Sequence, residues 1–146
     1  MSVKGPPSMQ PAERRPWMRL AIGAGVLYTA AGVLFGGLAG AAASPDARVR
    51  WRLAAWAVSG VLYLAHLAYE ARRHPPRSAS WHAAFGAGIG GLGIAIAAMT
   101  HAIRTGEGNL PLLLAAIPAF PVLVTIPAFL VGLVIVTTVA KRRRQP

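Results

Sequence analysis

The sequence predicts an all-α integral membrane protein: an antiparallel four-helix transmembrane bundle with a proline-kinked fourth helix. Three observations lead there. Of the 146 residues, 55% are hydrophobic and only 13% charged, where an ordinary soluble domain carries roughly 25% charged residues. Four stretches, at about 17–41, 51–71, 81–103 and 111–140, supply the roughly 20 mostly apolar residues that a crossing helix needs. The connections between them are short, which forces neighbouring helices to run antiparallel.

Residues 1–16 carry four prolines and are expected to be a disordered cytoplasmic segment. The first span opens at Trp17, with Arg19 near its start. Gly32, Gly36 and Gly40 form two overlapping G-x-x-x-G motifs, extended by Gly25 and Thr29. Such stripes let helix backbones approach closely in lipid. The run Arg14-Arg15-Pro16-Trp17-Met18-Arg19 loosely resembles a twin-arginine export signal, with Ala41-Ala42-Ala43 as a small-residue cleavage site. The apolar run exceeds the 7–15 residues of a usual signal core, so an uncleaved anchor is expected. Cleavage would leave three spans.

The first connection, Ala42 to Arg50, holds the turn signal Ser44-Pro45-Asp46. In the second span Ser59, Tyr63, His66 and Glu70 follow steps of 4, 3 and 4. At about 100° per residue they share a sector of about 60°. Arg52, Trp56 and Arg73 lie on or near the same stripe, and Leu53, Ala57, Leu64 and Ala68 lie opposite. In lipid that polar face must turn toward protein or water. The plain reading is a helix–helix seam whose polar groups are satisfied by neighbours. The functional alternative is a proton path, with His66 and Glu70 at its inner end and Tyr63 and Ser59 continuing it.

The second connection, Arg72 to Ser80, contains Pro75-Pro76, which cannot continue a helix. The third span presents Gly86, Gly90, Gly93 and Ala97 on one face, a second packing stripe. The glycine run Gly86 to Gly91 lacks the preceding strand that a dinucleotide fingerprint requires. His66, Glu70 and His82 are a candidate metal set, because imidazole and carboxylate suit zinc or iron. A bis-histidine haem would need His66 and His82 at similar depth, and they differ by about 6 Å along the helix axes. His101 reads as an interfacial anchor and His74 as a solvated loop residue. No cofactor is expected.

The fourth span repeats Ile117-Pro118-Ala119-Phe120 as Ile126-Pro127-Ala128-Phe129, with Pro121 between. Pro118, Pro121 and Pro127 deprive the carbonyls of Leu114, Ile117 and Leu123 of their usual donors. A kinked helix wrapping its neighbours is expected, its part up to Pro121 tilting or lying along the outer interface. Thr125 is a candidate donor to one freed carbonyl. Freed carbonyls also coordinate ions in transporters with broken helices. Residues 141–146 form a basic cytoplasmic tail.

The net charge of +11 has a location. Lys4, Arg14, Arg15, Arg19, Arg72, Arg73, Arg77, Lys141, Arg142, Arg143 and Arg144 fall on one side of a four-span chain, and Arg48, Arg50, Arg52 and Arg104 on the other. The positive-inside rule then places both termini in the cytoplasm, in a multi-pass protein of the inner (cytoplasmic) membrane. Trp17, Trp51 and Trp81 each begin a span, where indole rings favour the interface. Without a folded basic surface or aromatic platforms outside the spans, nucleic acid is not an expected partner. The partners expected are the lipid bilayer and other membrane subunits, or the chain itself.

The absence of cysteine excludes disulfides, thiolate metal sites and cysteine nucleophiles. Four acidic residues starve most hydrolytic and phosphoryl-transfer schemes. The leading expectation is therefore a non-catalytic structural or accessory subunit of a larger membrane complex. The alternatives are a small proton-linked transporter or channel using the polar stripe, and a membrane redox or metal-binding protein.

Overall fold

The computed structural model describes residues 16–142; the expected N-terminal segment up to residue 15 and the tail beyond Arg142 lie outside the described residues. Four helices follow in order: α1 Pro16–Gly40, α2 Pro45–Ala71, α3 Pro76–Thr105 and α4 Leu110–Arg142. There is no strand among the described residues.

Two helices begin earlier than their apolar runs. α2 starts at Pro45, not near Trp51, because Ser44-Pro45-Asp46 is a helix start as well as a turn signal. The Ser44 hydroxyl accepts a bond from the Ala47 N–H at 3.2 Å, Pro45 occupies the first turn, and Asp46 sits where the helix dipole favours an acid. α3 likewise opens at Pro76, with Pro75 as its extended cap. Proline stops a helix from behind and starts one from in front. α3 ends where Gly106 adopts φ 71° and its N–H reaches the Ala102 carbonyl at 3.0 Å. That left-handed geometry is open to glycine at little cost.

α4 is helical without interruption from Leu110 to Arg142, with Pro118, Pro121 and Pro127 inside it. Pro118 and Pro127 face outward, and Pro121 is half-buried. Thr125 lies with its hydroxyl against Gly88 of α3.

α3 is the hub, packing against α1, α2 and α4. Its glycines make this possible on two faces. Gly86, Gly90 and Gly93 meet Ala21, Tyr28 and Thr29 of α1, while Gly88 and Gly91 meet Thr125 and Val124 of α4. The second of these faces is hidden in the sequence inside what looks like one glycine run. The buried apolar core is nearly all alanine: Ala21, Ala31, Ala39, Ala79, Ala83, Ala84, Ala95 and Ala102, with Tyr28 and Leu67. Large residues such as Val26, Leu53, Val61, Leu112, Leu123 and Val134 point away from the chain. Small inside and large outside inverts the soluble pattern and matches helices that associate by close packing in lipid.

α1, α3 and α4 are long and apolar enough to cross a membrane. α2 is long enough at 27 residues, but Arg48, Arg50, Arg52, Ser59, Tyr63, His66 and Glu70 lower its apolar character. Its three buried residues are His66, Leu67 and Glu70, all in its last two turns.

Candidate functional site

The ionisable residues gather where α2 hands over to α3. The start of α3 is built of small side chains, and Ala79, Ser80, Ala83 and Ala84 are all fully buried. The Ser80 hydroxyl donates to the Pro76 carbonyl at 2.8 Å, so it needs nothing from α2. The turn is tied by Glu70 itself, whose main-chain carbonyl accepts from the N–H groups of Arg73 at 3.0 Å and His74 at 2.9 Å. Those bonds fix His74 over the end of α2, one turn beyond Glu70.

Glu70 is 1% exposed. Burying a carboxylate costs several kcal/mol unless it is paired and hydrogen-bonded. Its Oε2 lies 2.6 Å from Nδ1 of His82 and 3.5 Å from Nε2 of His74. An Nδ1–H of His82 donating to Oε2 satisfies the carboxylate across the helix interface. His82 is held in turn by Trp17 of α1, stacked on it with ring centroids 4.3 Å apart and planes within 3°. His74 meets the same imidazole edge-on at 4.8 Å.

Glu70, His74 and His82 are the one group of three among the described residues whose ligand atoms could hold a metal ion, all within 4.8 Å of one another. His66 is outside that group. Its ring packs over Gly86 of α3, and both ring nitrogens are buried with no hydrogen-bond partner among the described residues. His74 takes the place that the sequence suggested for His66. The signal was present in the i, i+4 spacing of Glu70 and His74, but Pro75-Pro76 made His74 read as loop.

The rest of the α2 stripe diverges. Tyr63 donates its hydroxyl to the Ala128 carbonyl of α4. Ser59 and Tyr63 line a cavity of about 470 Å³ among all four helices, together with Tyr28, Trp56 and Phe120. Tyr28 and His66 line a second space of about 440 Å³ between α1 and α2. Tyr28 is common to both, and its hydroxyl has no hydrogen-bond partner among the described residues. Tyr28 escaped the sequence reading because it stands alone on an otherwise apolar helix.

The packing glycines divide. Gly32 is pressed by Ile94, Gly86 by Ala21 and His66, Gly90 by Tyr28 and Gly93 by Thr29. Gly36 and Gly40 have nothing within 4 Å among the described residues. His101 is exposed at the far end of α3, with its main-chain carbonyl accepting from the Thr105 hydroxyl at 3.0 Å.

No family model, curated protein or solved structure matches the chain.

Proposed function

We propose that the protein is a four-span inner-membrane protein, both termini cytoplasmic, that serves as a non-catalytic accessory subunit of a larger membrane assembly. The observation that carries this reading is the divided glycine ladder of α1. Gly25 and Gly32 are used inside the chain, against Ile89 and Ile94. Gly36, Gly37 and Gly40 continue the ladder and meet nothing within 4 Å among the described residues. Gly36 and Gly40 line a groove of about 450 Å³ between α1 and α2 with Phe35, Arg48, Arg52 and Trp56. A small-residue groove left open in lipid is where a further helix packs.

α2 completes the four spans in this reading. Its apolar part from Leu53 to Tyr69 is 17 residues, about 26 Å at 1.5 Å per residue, close to the hydrocarbon thickness of about 30 Å. Arg48, Arg50 and Arg52 then sit at the outer boundary. The asymmetry of 11 basic residues against four supports cytoplasmic termini.

Extraction in mild detergent followed by native mass measurement tests the assignment. The expected species is larger than one chain, and Gly36→Leu with Gly40→Leu reduces it to the monomer without unfolding it. A wild-type monomer throughout removes the reading.

The alternative is a proton-linked transporter. It draws support from the unpartnered Tyr28 hydroxyl and His66 nitrogens, which lie between Glu70 and the cavity bearing Ser59 and Tyr63. Proton flux into liposomes that falls in His66→Ala and Glu70→Gln would favour it over the accessory role; flux no greater than that of empty liposomes eliminates it.

A further inference from the structure

Glu70, His74 and His82 bring one carboxylate and two imidazoles to a single point at the end of the bundle. We propose that these three side chains form a binding site for a divalent transition-metal ion of the zinc type, held between the end of α2, the following turn and the first turns of α3.

The donor set is the first argument. Two imidazoles and one carboxylate are a common three-ligand zinc set, and such sites keep a fourth position for water or another ligand. Imidazole nitrogen favours zinc and its neighbours over magnesium or calcium, which take oxygen.

The geometry is the second. With bonds of about 2.0–2.1 Å, two ligand atoms on a tetrahedral ion stand roughly 3.3 Å apart. His74 Nε2 and Glu70 Oε2 are already 3.5 Å apart. His82 Nδ1, at 2.6 Å, moves back by roughly 0.7 Å to exchange its hydrogen bond for a metal bond. Trp17, stacked flat on the ring, limits that movement to sliding in the ring plane.

Electrostatics is the third. The turn carries Arg72 and Arg73, which would repel a dication if they faced the site. They do not. Arg73 lies over the Tyr69 ring at 4.2 Å, and Arg72 lines the groove between α2 and α4 with Leu64 and Val139. The side-chain partners of the Glu70 carboxylate among the described residues are the two imidazoles. Burial of Glu70 gives the ion a dry setting, while the half-exposed His74 side chain, at 35%, gives it a way in from water.

Three side chains from two helices and their turn, joined by one ion, would also pin the α2–α3 turn. Metal binding to the folded state alone raises stability by mass action.

The test uses the full chain purified in mild detergent with a tag free of histidine, stripped by chelator and titrated with Co²⁺. The expected result is one Co²⁺ per chain with the intense visible bands of a tetrahedral ion, displaced by Zn²⁺. His74→Ala is the decisive variant, because its half-exposed ring can be removed without opening the interface. It should weaken Co²⁺ binding by more than about tenfold, and Zn²⁺ should raise the unfolding temperature of the wild type but not of this variant. His101→Ala, at the opposite end of α3, should bind like the wild type. Weak octahedral spectra, less than half an equivalent bound, or equal binding by His74→Ala and the wild type would each overturn the proposal.

Discussion

The two parts of α2 meet different surroundings. From His66 onward it closes on α3, burying His66, Leu67 and Glu70. From Pro45 to Ala65 no residue of it is buried, and Trp56 is 81% exposed. The neighbour explains the change. The first turns of α3 carry the fully buried Ala79, Ser80, Ala83 and Ala84, and Ser80 meets Gly132 of α4 together with Leu67 of α2. Farther along, α3 gives its glycines to α1 and α4 instead. α2 then stands off behind Trp56 and Tyr63, and the cavity of about 470 Å³ opens. In lipid, where no hydrophobic force draws helices together, side-chain size and interhelical hydrogen bonds decide where a helix is held. The held end carries the chemistry, and the loose end carries the open surface.

The largest effect should come from breaking the held end. His82→Ala leaves the Glu70 carboxylate buried with only the more distant His74 beside it. Removing one partner of a buried pair costs about 3–5 kcal/mol. Glu70→Gln keeps a hydrogen-bonding group in place and should cost less. Reversible unfolding in mixed micelles compares the two with the wild type. If His82→Ala unfolds within about 1 kcal/mol of the wild type, the pair behaves as a surface contact and the contrast between the two ends of α2 fails.

The second comparison lies within α1 and is smaller. A methyl group at Gly25 would stand 3.1 Å from the Gly86 carbonyl and inside the Ile89 side chain. A backbone carbonyl cannot step aside as a flexible side chain can. Gly25→Ala should therefore cost about 1–3 kcal/mol through overpacking. Gly36→Ala meets nothing within 4 Å, and alanine's better helix propensity should leave the chain unchanged or more stable by up to about 1 kcal/mol. The same unfolding assay reads both. Equal losses at the two positions would mean that Gly36 too is covered, within the chain or by a partner helix.

The helices were legible in the sequence because each apolar run is long. Their starts were not, because proline after serine or proline reads as a turn and as a helix N-terminus alike, and only the continuing 3.6-residue pattern of Asp46 to Arg50 decides. The buried histidine and glutamate of α2 were legible from their spacing on one face. Their partners were not. Glu70 could have turned to His66, its neighbour one turn back, or to His82 across the interface, and the choice rests on how closely α3 approaches. The small residues buried at the start of α3, Ala79, Ala83 and Ala84, carry no chemical signal of their own. The α1 ladder was visible as glycines, yet which half is covered depends on where Ile89 and Ile94 fall on the opposing helix.

The smallest predicted effect sits at the boundary between the held and loose parts of α2. Tyr63 lies one turn before Leu67, and its hydroxyl donates to the Ala128 carbonyl, tying α2 to α4 across the cavity. Tyr63→Phe keeps the ring and removes only the hydroxyl, which is the atom that meets Gly132. The loss should be about 0.5–1.5 kcal/mol, the usual net worth of one such bond. Its distribution is more informative than its size. Amide hydrogen exchange should quicken from Asp46 to about Leu62, where α2 has lost its tie to α4 and keeps its packing on α1, and stay unchanged from His66 to Ala71, where Glu70 and Leu67 hold it. Exchange that quickens equally along the whole helix would mean that α2 opens as one unit, and that the difference between its two parts is one of burial and not of stability.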